Sequence, residues 1–131
     1  MQAITDLIKA GGVYFIATDD NGQPRVRPFG AVMEFEGKTY IATGNKKDFF
    51  KQVMNNPRVE LSSILGPGKW LRVSGELAED TRREAKLAFF EASPALLNRY
   101  SIDDGIFAVL YFKSGTARVC SFTEPEVVYE L

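Results

Sequence analysis

Apolar residues recur at helical spacing in only a few stretches of the chain. In the first stretch, the Gly11-Gly12 pair ends the apolar pattern. The second opens after Asn45, the predicted N-cap, and stops at an Asn-Asn-Pro sequence. In the third, Thr81 and Glu84 have the spacing of a capping box. The predicted helices therefore cover residues 3–10, 45–54 and 81–92, with a further short helical piece over 94–100.

The remaining apolar positions form alternating or continuous runs of strand length. Residues 13–18 are continuously apolar and β-rich, which predicts a strand covered on both faces. Asn21-Gly22 predicts a hairpin turn, and Ser114-Gly115 a second one near the end of the chain. Pro28 and Gly30 indicate a bulge or bend inside one long strand. The predicted strands are 13–18, 24–35, 38–43, 58–64, 69–77, 106–112 and 117–122, with a short last strand over 127–131.

Six or seven of these strands form the predicted sheet and are joined mainly by hairpins, without a regular alternation of strand and helix. The pattern predicts a mainly β fold, an antiparallel β-barrel with helices at its edges. A length of 131 residues fits a single domain, residues 1–131.

Composition excludes several kinds of site. The chain has no histidine and one cysteine, which excludes Ser-His or Cys-His catalysis, an imidazole or cysteine metal site and an intrachain disulfide. A formal net charge of -1 argues against a nucleic-acid partner. No apolar run is long enough to cross a bilayer and no signal peptide is evident, so the expected location is cytoplasmic. If the chain is an enzyme, we expect a cofactor to supply the chemistry.

The charge is unevenly distributed. Residues 25–72 contain nine basic residues against four acidic ones, an excess that suits a phosphate or a small anion. Thr43, Asn45, Lys46 and Lys47 follow a predicted strand and open a predicted helix. Two lysines in a first helical turn oppose the helix dipole, and a bound anion would reconcile them. The alternative is that both lysines point into water.

Two further groups of side chains are candidates for ligand contacts. Arg25 and Arg27 project from one face of a strand, where they would hold a carboxylate, a phosphate or a heterocycle edge, or simply lie exposed. Trp70 lies on the polar face of its strand, which suits stacking on a ligand, a subunit interface or packing under a helix.

The order of these motifs resembles the FMN-binding split barrels of the pyridoxamine 5′-phosphate oxidase-like family, most of all its small single-domain members, which include the nitroimidazole-resistance flavoproteins. The most specific motifs are PRVRPFG (24–30) and ATGNKKDFFKQVMNNP (42–57), and the similarity extends from about residue 10 to 122. The resemblance implies an antiparallel split barrel that forms a homodimer, with FMN in a groove at the subunit interface.

The resemblance also implies site residues. The strand matching Arg25, Val26, Arg27 and Pro28 would run along the isoalloxazine and the ribityl chain. The segment matching Ala42, Thr43, Asn45, Lys46 and Lys47 would hold the phosphate, with Lys47 as the main lysine. Trp70 falls where the next strand of the family approaches the flavin.

The implied function is an FMN-dependent oxidoreductase acting on a small-molecule substrate or electron donor. No residue stands out as a proton donor, and the candidates are Tyr14, Tyr40 and Tyr100. A non-catalytic flavin carrier or sensor would need the same groove. A deazaflavin or heme binder on the same barrel is a third alternative, although heme would require Cys120 or a tyrosine as its axial ligand.

Overall fold

The structure is a computed structural model that describes residues 2–131, so only Met1 of the predicted domain lies outside it. It contains eight strands and three α-helices. The helices are α1 (Gln2–Gly11), α2 (Asp48–Asn55) and α3 (Arg83–Ala92), followed by a 3₁₀ helix (Pro94–Asn98). The strands are β1 (Tyr14–Asp20), β2 (Gln23–Phe29), β3 (Met33–Phe35), β4 (Lys38–Gly44), β5 (Arg58–Gly66), β6 (Lys69–Asp80), β7 (Phe107–Ser121) and β8 (Val127–Glu130).

All eight strands belong to one sheet in which every neighbouring pair is antiparallel. The strand order is β2-β1-β5-β6-β7-β4-β3, and β8 pairs with β7. The predicted mainly β, antiparallel fold class is therefore confirmed. None of the helices in residues 2–131 has the length and hydropathy that crossing a bilayer requires.

The prediction of one long strand over 24–35 was wrong. The chain leaves β2 after Phe29 and enters β3 at Met33, and these two strands lie at opposite ends of the strand order. The Tyr14 hydroxyl donates a hydrogen bond to the Ala31 carbonyl (2.6 Å), which ties the crossing segment to β1. β2 is consequently an edge strand, with one side of its backbone open.

The hairpin predicted at Ser114-Gly115 was also wrong, because β7 runs unbroken alongside β6. Gly115 instead allows the backbones of β6 and β7 to approach each other closely. A Cβ on Gly115 would lie 2.4 Å from the Ser74 carbonyl oxygen, and one on Gly75 2.2 Å from that of Ser114. The register shifts by a bulge just beyond this point, between Glu76 and Leu77.

The core lies on one face of β1, and the other face is open. Ile16 is fully buried, whereas Phe15 is 52% exposed, so the expected cover on both faces of this strand is absent from the single chain. Cross-strand pairing places Ile64 and Trp70 on the same face as Phe15, and Phe122 packs on Trp70. We call this side of β1, β5 and β6 the outer face.

Candidate functional site

Three adjoining depressions line the edge strand β2, and together we call them the β2 groove. The hairpin depression, about 720 Å³, lies between the β1–β2 turn and α2. The central depression, about 580 Å³, lies at the start of α2 and shares Arg27 and Asp48 with the first. The inner cavity, about 150 Å³, lies against the 3₁₀ helix and shares Pro28, Phe29 and Lys47 with the second.

Eight of the ten side chains predicted to bind a cofactor line this groove. The hairpin depression includes Arg25, Val26 and Arg27, the central depression Arg27, Pro28, Lys46 and Lys47, and the inner cavity Pro28, Ala42, Thr43 and Lys47. Asn45 and Trp70 line none of the three. The fold thus brings β2, the end of β4 and the segment before α2 together, as the sequence motifs predicted.

Arg27 anchors α2 to the sheet. Its Nη1 donates to Thr18 Oγ1 (2.8 Å) and to the Ile16 carbonyl (3.3 Å), and its Nη2 donates to Gln52 Oε1 (2.7 Å). The guanidinium also lies 5.1 Å from the centre of the Phe49 ring. Burial lowers the pKa of Arg27, although the group stays charged at neutral pH. Much of its hydrogen-bonding capacity is therefore used within the protein.

Arg25 shares this face of β2, because the two arginines pair with Thr18 and Ile16 on the core side of β1. It forms an ion pair with Asp20 (3.1 Å) and remains half-exposed. Val26 and Pro28 point to the opposite side of the strand, in line with Ala17 and Phe15 of the outer face. Ligands on the two sides of β2 would thus meet different chemistry.

The expected helix start at Asn45 was wrong. α2 begins at Asp48, and Lys47 is its N-cap residue without a side-chain capping bond. Asn45 instead bridges to a distant loop, since its backbone N–H donates to the Ile106 carbonyl (2.8 Å) and its Nδ2 to the Gly105 carbonyl (2.9 Å). The first turn carries the acid Asp48, which agrees with the helix dipole.

Lys46 and Lys47 precede α2, so the opposition between two lysines and the helix dipole does not occur. Both are exposed, and neither forms an ion pair within residues 2–131. The case for an anion therefore depends on these free charges at the groove rather than on the dipole.

The inner cavity contains residues that the sequence did not associate with a ligand, namely Leu96, Arg99 and, as a binding residue, Tyr100. Thr43 is 5% exposed, and its Oγ1 has no hydrogen-bond partner. A Cβ on Gly44 would lie 3.0 Å from the Tyr100 hydroxyl, so glycine lets this ring approach β4. No local sequence signal relates residues 96–100 to β4, because only the tertiary fold brings them together.

Trp70 lies on the outer face, where it pairs with Ile64 and Cys120 and packs on Phe122 (5.1 Å between ring centres). Trp70 therefore does not line the β2 groove of its own chain, where it was predicted to approach a flavin. That contact stays a prediction that depends on a second protomer.

Of the three candidate proton donors, only Tyr100 lines the groove. Tyr14 is fully buried, and burial strongly raises its pKa. Tyr40 donates to the Asp80 carboxylate (2.7 Å), and burial together with this bond raises its pKa well above the usual range. Neither Tyr14 nor Tyr40 is placed to exchange a proton with a ligand in the groove.

The chain is similar in sequence and in fold to known proteins. The sequence profile of the pyridoxamine 5′-phosphate oxidase family matches residues 1–118. The chain belongs to this family. A NimC/NimA family protein from Clostridium acetobutylicum is 50% identical and superposes with a TM-score of 0.95, over 100% of this chain and 93% of that one. The predicted family and the split-barrel fold are therefore confirmed.

Two more distant proteins of the same fold differ in what their names say they bind. A pyridoxamine 5′-phosphate oxidase-related, FMN-binding protein from Nostoc punctiforme is 13% identical, with a TM-score of 0.61 over 99% of this chain and 95% of that one. A heme-binding protein from Mycobacterium smegmatis is 17% identical, with a TM-score of 0.74 over 96% of this chain and 56% of that one. At these identities the likeness shows the fold alone. No curated protein matches the sequence significantly.

Proposed function

We propose that this member of the pyridoxamine 5′-phosphate oxidase family binds FMN in the β2 groove and acts as an FMN-dependent oxidoreductase on a small-molecule substrate. The observation that carries the proposal is that Lys46 and Lys47, which form no ion pair within residues 2–131, line adjoining depressions along β2, and that Lys47 shares the inner cavity with Thr43, whose buried hydroxyl has no hydrogen-bond partner. The central and hairpin depressions have the volumes of small-molecule sites, which typically span about 300–1,000 Å³.

The residues present fit an FMN molecule. Lys47 and Thr43 offer a cation and a hydroxyl to a phosphate, with Lys46 beside them. The open edge of β2 offers backbone groups and the apolar surfaces of Val26 and Pro28 to a planar ring. When bound, FMN would accept and donate hydride or single electrons. The positive field of Arg25 and Arg27 would favour negative charge on the reduced ring.

We further propose a homodimer with the flavin at the subunit interface. Phe15, Ile64 and Phe122 are 52%, 75% and 84% exposed on or beside the outer face, an apolar surface that a second copy would cover. Such a dimer would also bring the partner chain near the outward side of β2. Light scattering after size exclusion should give the mass of two chains, and a monomer that retains FMN would contradict the interface site.

A non-catalytic flavin carrier is the second candidate, because a carrier needs no proton donor. Tyr14 and Tyr40 form hydrogen bonds away from the groove, so Tyr100 is the one candidate proton donor of the three that lines it. Heme is less well supported. Cys120 is buried with its Sγ 3.7 Å from Glu126 Oε2, and burial with this carboxylate raises the thiol pKa, which disfavours a thiolate ligand.

The test is the absorption spectrum of the purified protein before and after addition of FMN, followed by anaerobic mixing with NADH or NADPH. Flavin bands that co-elute with the protein and bleach with a nicotinamide support the oxidoreductase. Bound flavin that does not bleach over minutes favours the carrier, and a shifted spectrum identifies a deazaflavin. Protein that stays colourless with added FMN contradicts the proposal.

A further inference from the structure

Two prolines of the edge strand β2 determine which of its backbone groups face outward. In the register with β1, Pro24 pairs with Asp19 and Pro28 pairs with Phe15. Because proline has no N–H to donate, neither pair is a hydrogen-bonded pair of this antiparallel ladder. The two kinds of pair alternate along a ladder, so Val26, two residues from each proline, belongs to the same set. The backbone groups of residues 24, 26 and 28 therefore point away from β1.

This outward side of β2 is the open one. β2 ends the strand order, Val26 is 67% exposed, and both prolines are exposed beside it. An open edge strand ordinarily presents a row of N–H and C=O groups that can pair with a strand of another molecule. On β2 that row contains three carbonyl oxygens but a single N–H group, the one of Val26.

The missing N–H groups weaken any pairing between the β2 edges of two copies of the chain. Since each edge has one outward N–H, two such edges can form at most two N–H···O bonds, whatever their register. An antiparallel pair centred on Val26 would form six if residues 24 and 28 could also donate. The proline rings also occupy the space in which the missing hydrogens would lie, which keeps a second strand at a distance.

Charge opposes the same pairing. In the antiparallel register centred on Val26, Arg25 of one copy would lie opposite Arg27 of the other, on the face that both arginines share. Like charges directly opposite each other in a ladder are destabilising. Arg27 is bonded to Thr18 and Gln52, so it cannot turn away from a second strand without losing these bonds.

We propose that Pro24 and Pro28, reinforced by Arg25 and Arg27, prevent β2 from pairing edge to edge with β2 of a second copy. Copies that associate through the outer face then do not grow into a larger assembly through this edge, and the edge stays open to a small ligand. The inference does not depend on which ligand the groove binds, so it is tested separately from the proposed FMN function.

The test compares the self-association of the wild type and of Pro24→Thr/Pro28→Thr by size exclusion with light scattering, over a series of concentrations. The double variant restores both N–H groups and places polar residues that favour strands at exposed positions. We expect assemblies of at least about twice the wild-type mass, with edge association strengthened about 30- to 1,000-fold. Pro125→Thr is the matched control, because Pro125 is exposed and lies outside the strands, and it should leave the mass unchanged.

Hydrogen exchange of the backbone amides locates the contact. In the double variant the Val26 amide should gain at least about tenfold protection over the wild type, and the new amides at 24 and 28 should be protected with it. Raising the salt concentration should strengthen this association, since screening weakens the repulsion between the arginines.

A thermal melt shows whether the variants remain folded. A folded double variant with the wild-type mass overturns the proposal, and so does association that leaves the exchange of the Val26 amide unchanged. If the double variant does not fold, Pro24→Thr alone, next to the hairpin turn, is measured in the same two ways. It should associate more strongly than the wild type and protect Val26, and a folded single variant without either change overturns the proposal.

Discussion

Two charged depressions on this molecule differ in whether their charged side chains have hydrogen-bond or ion-pair partners within the protein. On one side of the sheet, a depression of about 310 Å³ surrounds Tyr40, Asp80 and Arg82. Asp80 accepts hydrogen bonds from the Tyr40 hydroxyl (2.7 Å) and from Arg82 Nη2 (2.9 Å), and Arg82 also donates to Glu36 (2.6 Å). The β2 groove contains Lys47 and Arg99 without ion pairs in residues 2–131, and a buried hydroxyl without a partner.

A cluster of charges does not by itself identify a binding site. In the Asp80 cluster (Glu36, Tyr40, Asp80 and Arg82), every polar group has a partner within the chain, so the cluster serves stability. The bonds from Arg82, with that from Tyr40, hold the pKa of Asp80 at about 2. In the β2 groove the unpaired groups are those that we propose contact a ligand. If this distinction is correct, substitutions in the two places should separate binding from stability.

The largest expected effect is that of Lys47→Glu, which places a negative charge at the proposed phosphate site. We expect FMN affinity to fall at least about 100-fold, while the fold survives because Lys47 is exposed. Fluorescence titration and a thermal melt measure the two quantities. Lys38→Glu is the matched control, since Lys38 lines the Asp80 depression and its Nζ lies 4.6 Å from the Tyr111 ring centre. Unchanged FMN occupancy in Lys47→Glu would contradict the phosphate site.

Asp80→Ala should have the opposite profile. Removing the carboxylate leaves the buried Tyr40 hydroxyl and Arg82 without their shared acceptor, which should lower the free energy of unfolding by about 2–3 kcal/mol. FMN affinity should stay within about twofold, because the cluster does not touch the groove. Denaturant unfolding provides the measurement. A large loss of FMN binding in a still-folded Asp80→Ala protein would show that the Asp80 cluster contributes to binding.

The pH dependence of stability should originate partly in Asp80. Its pKa in the folded protein, about 2, lies below the ordinary value of 3.8. The folded state therefore favours the carboxylate, so its stabilisation is present in full above about pH 4 and is lost as the pH falls toward 2. We expect a loss of about 1–2 kcal/mol between pH 5 and pH 2. Asp80→Asn should remove this part of the dependence, and an unchanged pH profile would argue against it.

Arg27→Ala should produce the smallest effect, and it should lower both the stability and the FMN affinity. Arg27 anchors α2 through Thr18 and Gln52, so its loss should cost about 1 kcal/mol of stability. FMN affinity should weaken about three- to tenfold, less than in Lys47→Glu, because part of this guanidinium is already engaged. Arg25→Ala provides the comparison, since the half-exposed Arg25 forms an ion pair with Asp20 across the hairpin and does not contact α2 through a hydrogen bond or ion pair among residues 2–131. Stability equal in the two variants would refute the anchoring role.

Local pattern predicted the elements well where neighbouring residues decide the conformation. The Asn21-Gly22 turn joins β1 to β2, with both residues at positive φ (50° and 93°). Capping was predicted less well. The capping box predicted at Thr81 was wrong, because α3 starts at Arg83 with Arg82 as its N-cap residue and has no side-chain capping bond. The Asp80 carboxylate instead accepts a hydrogen bond from the Arg82 backbone N–H (3.0 Å), which fixes the segment just before the helix.

The mainly β class, the family and the grouping of β2 with the segment before α2 could all be predicted from the sequence. Strand spacing, turn residues and the order of two motifs are properties of the sequence that can be recognised without knowledge of the fold. Tertiary structure alone decided that Gly115 sits against β6 rather than in a turn, and that Arg99 and Tyr100 reach the end of β4. Both depend on contacts between residues that are distant along the chain. Neither hydrophobic periodicity nor a local motif predicts which distant surfaces come into contact.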